Sequence, residues 1–96
     1  MQVYVIADAG IEHYAVQHVC ISEETARKRF DDVRVKLLNE AIRMHKWCEK
    51  EDKREGRDWR DNTYDENVEV LEKTTFDNVE SMLFEHPVWE TYELEE

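Results

Sequence analysis

The sequence predicts an α+β domain in which helices pack on one face of a small antiparallel sheet. Three observations lead there. Two runs rich in β-branched and aromatic residues, QVYVIAD (2–8) and EHYAVQHVCI (12–21), flank an Ala9-Gly10 turn signal. A single apolar stripe of helical period then runs from Ala26 to Cys48. Finally, 96 residues contain only two glycines and one proline, so connections are few and elements long, which argues against a many-stranded sandwich or barrel.

The first two runs are expected to pair as an N-terminal β-hairpin. Strict alternation in the second puts Tyr14, Val16, His18 and Cys20 on one face and His13, Ala15, Gln17, Val19 and Ile21 on the other. Ser22 stands at a helix N-cap, with Glu23 and Glu24 in the first turn to complement the dipole and Ile21 placed to staple onto Ala26. The stripe Ala26, Phe30, Val33, Leu37, Ala41, Met44, Cys48 advances about 3.7 residues per step, which suits a straight helix on a sheet rather than a coiled-coil seam. After Cys48 the segment EKEDKREGRD is charged apart from its glycine, and the helix is expected to end near Gly56.

Residues 57–65 read as a polar connection. Residues 66–72 can form a short strand or a helical turn, and Val68 and Val70 favour the strand. Thr74 or Thr75 can cap a second helix over 76–85 with Phe76, Val79, Met82 and Leu83 inward, and Pro87 stops it. Residues 88–94 alternate as a C-terminal strand. At this length the whole chain, 1–96, is expected to be one domain with a thin core. With no basic n-region ahead of an apolar run and no spanning segment, a cytoplasmic protein is expected, with Cys20 and Cys48 as buried or metal-bound thiols rather than a disulfide.

Charge divides sharply along the chain. Residues 1–60 hold 12 acidic and 12 basic side chains, whereas 61–96 hold 12 acidic against the single Lys73, so the net charge of −11 lies in the last 36 residues. Nucleic acid and anionic lipid require the opposite sign, which excludes both as direct partners and points to a basic protein surface. Asp61, Asp65, Glu66, Glu69, Glu72, Glu90, Glu93, Glu95 and Glu96, with Trp89 and Tyr92 as aromatic anchors, are the candidate partner-binding residues.

Chemistry has fewer footholds. Gly10 and Gly56 are isolated, so no phosphate-binding loop exists, and no histidine stands beside an activated nucleophile; an enzyme is not expected. In MHKWC (44–48), His45 and Cys48 sit at i and i+3, a spacing that supplies two zinc ligands. Cys20, about 40 Å away along a straight helix, could join them only through a broken helix or a second protomer. His13, at the hairpin end toward which the helix returns, can join them, with Asp52 or His86 as a fourth ligand. The alternative is that Cys48 merely ends the core stripe and the histidines are boundary residues. No cofactor is required; zinc is the metal this ligand set would take.

A small acidic α+β domain without a catalytic motif and with a tail of the type WETYELEE resembles the phage-encoded inhibitors of bacterial defence, anti-CRISPR proteins that act on Cas9 among them. The resemblance covers general character over the whole chain and transfers no site residue. It implies a non-enzymatic inhibitor in the host cell cytosol that occupies a basic lobe of a Cas9-type nuclease and keeps guide or target DNA from seating. The alternative from another class is a small zinc-binding structural or oligomerisation domain.

Overall fold

The computed structural model describes residues 1–54, 63–80 and 85–94; within its helices the side chains of 45, 48, 49, 51–54 and 63–66 lie outside the description. Strands β1 (Gln2–Gly10) and β2 (His13–Cys20) form the expected hairpin, closed by a two-residue turn in which Glu12 takes the left-handed region at φ 59°. Helix α1 (Glu23–Arg54) follows, then α2 (Thr63–Lys73) and strand β3 (His86–Glu93). The sheet is antiparallel in the order β2-β1-β3, so β1 is the central strand and the C-terminal strand pairs with the N-terminal one. Pro87, which has no N–H to give a ladder, is accommodated because β3 is an edge.

Ser22 caps α1 as the sequence requires, its Oγ accepting the Thr25 N–H at 3.2 Å. The hydrophobic staple is not made: Ile21 stays largely exposed while Ala26 is fully buried. At 32 residues α1 is about 48 Å long, against about 30 Å for the nine-residue β1, so its C-terminal turns overrun the sheet. The core fills the space under its first half, where Phe30, Val33 and Leu37 pack on Ile6 and Cys20.

The second half of the chain departs from the sequence reading in two places. Residues 63–65, read as connection, and 66–72, read as a strand in preference to a helical turn, belong to α2. Asn67, Leu71 and Thr74 are buried at helical spacing and Glu69, Glu72 and Lys73 are exposed, so packing against α1 overrides the β preference of Val68 and Val70. Arg34 of α1 ties the pair by donating to the Leu71 carbonyl at 3.2 Å, one of the carbonyls left over at the end of α2. The helix expected over 76–85 does not begin: residues 74–80 are irregular, and 81–84 lie outside the described residues.

The reason is local. Thr75 Oγ1 accepts the Asn78 N–H at 3.0 Å, the bond an N-cap would make to its third residue, but Thr75 N–H also donates back to the Asn78 carbonyl at 3.1 Å and closes a tight turn. Thr74, fully buried, accepts the Glu80 N–H at 2.9 Å. This turn thrusts Phe76 inward. Its ring meets Phe30 edge-on at 5.8 Å and stacks on Trp89 at 4.1 Å, and its carbonyl accepts the indole N–H at 2.6 Å. Outside, Arg27 lies 4.6 Å over the same ring and makes two 2.7 Å bonds to Asp77.

Two expectations follow. Phe30→Ala, which empties a fully buried site, should cost about 3–5 kcal/mol in urea unfolding. The hydrogen bonds from Arg27 hold the Asp77 carboxyl below its ordinary 3.8, so this pair stabilises the fold above that pH and its contribution disappears as pH falls through the lowered value. Asp77→Asn should therefore flatten the acid side of the stability–pH curve, measured by thermal melts from pH 6 to about 2.

Candidate functional site

Register decides which side chains meet. On β1, Tyr4, Ile6 and Asp8 face the helices, and Val3, Val5, Ala7 and Ala9 face away. On β2 strict alternation fails: Ala7 pairs with Val16 and Ile6 with His18, leaving Gln17 as the extra residue of a β-bulge. Beyond the bulge the faces exchange. His13, Ala15 and Gln17 therefore share the helix-facing side with His18 and Cys20, while Tyr14, Val16 and Val19 share the far side, which corrects the grouping read from the sequence.

At the hairpin end of the helix-facing side, three donors from three segments converge. Asp8, only 8% exposed, contacts His13 Nε2 through Oδ1 and accepts the Gln17 amide at 3.3 Å through Oδ2. Glu85, just ahead of β3, brings Oε1 to 3.9 Å from the same His13 nitrogen. The ligand atoms of Asp8, His13 and Glu85 all lie within 4.8 Å of one another. Among the described residues no lysine or arginine pairs with either carboxylate.

The far side of the sheet carries no helix among the described residues. Val3, Ala7 and His86 are buried on this side, whereas Tyr14 (53% exposed), Val16 (52%), Val19 (64%) and Tyr92 (51%) stand out around half-buried Val5 and Val88, an apolar strip of the kind that monomeric surfaces rarely leave open. Glu90, opposite Val5, is its charged member and accepts the Tyr92 hydroxyl, a bond that raises the Tyr92 phenol above its ordinary value. None of the three strands contains a lysine or arginine; all 13 basic residues fall between positions 27 and 73.

The residues expected from the sequence are distributed over both sides. Glu90 and Tyr92 lie on the open face, whereas Glu93, opposite Gln2, points to the helix side. Glu69 and Glu72 are exposed on α2, and Glu69 is neutralised by Lys73 at 2.6 Å, which lowers the carboxyl and raises the amine. Trp89, expected as a partner anchor, is committed to the chain's own core against Phe76. Asp61, Glu95 and Glu96, and the side chains of Asp65 and Glu66, lie outside the described residues.

Of the expected metal ligands, His13 is in the cluster, while the side chains of His45 and Cys48 lie outside the described residues. His86 is buried opposite Ala9 and so belongs to the other face of the sheet from His13. Cys20 is a free, buried thiol of the core. Asp8 and Glu85 were missed. Asp8 had a signal, since it is the one charged residue in QVYVIADAG; Glu85 had none, because only the β1–β3 register brings it there.

No helix among the described residues is long and apolar enough to cross a membrane. Comparison with family models, with curated proteins and with solved structures finds no match. The site therefore stands on its own geometry. If the far face is free surface, Val16→Thr and Val19→Thr should each change unfolding free energy by less than about 0.5 kcal/mol, far below the cost of a core substitution.

Proposed function

We propose that this protein is a non-enzymatic binding protein that docks the open face of its sheet on a basic protein surface. The observation that carries the reading is the strip itself: Tyr14, Val16, Val19 and Tyr92, each at least half exposed, surround Glu90 in a sheet with no lysine or arginine. Tyrosines supply large contact area at low entropic cost, and valines supply a flat apolar floor. The anionic setting selects a cationic partner and speeds its approach.

This reading moves the docking surface from the acidic tail to the sheet. The acids of α2 lie in the helix layer, partly neutralised, and serve long-range attraction rather than contact. The partner class to test first is the nucleic-acid-binding channel of a Cas9-type nuclease, lined with lysine and arginine. Occupation of that channel would keep guide or target DNA from seating, with no bond made or broken by the inhibitor.

The test is titration of a guide-free Cas9-type nuclease at about 0.1 M and about 0.5 M salt, where screening lengths differ severalfold. Affinity should fall at least about tenfold at the higher salt. Tyr14→Ala and Tyr92→Ala should each weaken binding about tenfold, the loss expected of an interface anchor, while the double change Glu69→Gln, Glu72→Gln should leave the dissociation rate unaltered. Binding that ignores salt, or that survives both tyrosine substitutions, contradicts the proposal.

A further inference from the structure

We infer that Asp8, His13 and Glu85 form a binding site for one first-row divalent metal ion of the zinc or manganese type. The site is separate from the open face, since Asp8 and His13 lie on the helix-facing side of the sheet. The donors are one imidazole nitrogen and two carboxylate oxygens, a mixed set that suits borderline and harder first-row ions and, unlike a thiolate set, does not select soft ones.

Geometry is close to what such an ion needs. With metal–ligand bonds of about 2.1 Å, neighbouring ligand atoms stand about 3.4 Å apart in a tetrahedral site and about 3.0 Å apart in an octahedral one. The three donor atoms already lie within 4.8 Å of one another, and His13 Nε2 is 3.9 Å from Glu85 Oε1. An ion entering between them replaces the direct Asp8–His13 contact and draws Glu85 inward. His13 and Glu85 are both exposed enough to make that movement, and the remaining coordination positions open to water.

Electrostatics supplies the second argument. Asp8 is buried, and together with Glu85 it places two carboxylates around one histidine at the end of a sheet that has no lysine or arginine. Even a protonated His13 leaves that group one charge short of neutrality. A divalent ion balances both carboxylates while His13 binds as the neutral ring, any proton on Nε2 leaving for solvent as the metal–nitrogen bond forms. The bulge residue Gln17 completes the arrangement, because its amide holds the second oxygen of Asp8 and so orients the first toward the site.

The ligands come from β1, from the first residue of β2 and from the residue before β3. An ion there joins the three strands at one end of the sheet.

The experiment is calorimetric titration of the full chain, purified in chelator and exchanged into metal-free buffer, with zinc chloride and with manganese chloride, paired with thermal melts. One ion per chain should bind, and saturation should raise the melting temperature. His13→Ala and Glu85→Gln, both at exposed positions, should each weaken binding at least tenfold and abolish the thermal shift while leaving the metal-free melt within a few degrees. The double change His45→Ala, Cys48→Ser should leave affinity unaltered. No binding of either ion at about 0.1 mM, binding that either single variant leaves unchanged, or binding lost only in the His45, Cys48 variant overturns the assignment.

Discussion

The aromatic joint between Phe30, Phe76 and Trp89 holds the two halves of the chain together. Phe30 belongs to α1, Phe76 to the turn after α2, and Trp89 to β3, so one stack binds three segments that sequence separation would otherwise leave independent. Closing loops of that length costs entropy that local contacts do not return, and a large buried aromatic cluster offsets it. Arg27 and Asp77 cover the outer side of the joint, and the Trp89 indole satisfies the Phe76 carbonyl within it. Among the described residues, the helices cover one face of the sheet.

That one-sided cover gives the two faces opposite chemistry. The bulge at Gln17 is the device: it lets Cys20 and His18 turn inward beneath α1 while Tyr14, Val16 and Val19 remain together outside. Without it, the two ends of β2 would present the same face with different polarity, and neither a core nor a continuous outer strip would result. The charge distribution follows the same partition. Every lysine and arginine lies between positions 27 and 73, so the sheet carries no side chain of fixed positive charge. An apolar strip in a negative setting fits a cationic groove better than it fits a second copy of itself.

The hairpin, the cap at Ser22, the long helix and the final strand were legible because each is written in local signals of period, turn and cap. What escaped was set by tertiary contact or by competition between equal local chemistries. Val68 and Val70 looked like strand residues, yet Leu71 against α1 makes their segment helical. Thr75 carries a capping hydroxyl, and the bond it makes to Asn78 is the capping bond, but the backbone closes a turn instead, and Phe76 within it stacks on Trp89. A bulge leaves almost no trace in one sequence, so the outer strip could not be assembled from alternation. His13 was recognised as a ligand by its place at the hairpin end; its partner Asp8 was passed over because it sits within an apolar run, where a lone carboxylate ought to prompt a search for whatever satisfies it.

The account turns on the open sheet face being the surface a basic partner covers. Methyl NMR with a soluble nitroxide tests this most directly. Free in solution, Val16 and Val19 should broaden strongly and Val33, Leu37 and Leu71 should not. On addition of a basic nucleic-acid-binding protein that forms a complex, Val16 and Val19 should lose that broadening. A complex in which they remain broadened while Val68 and Val70 of α2 become protected would contradict the account.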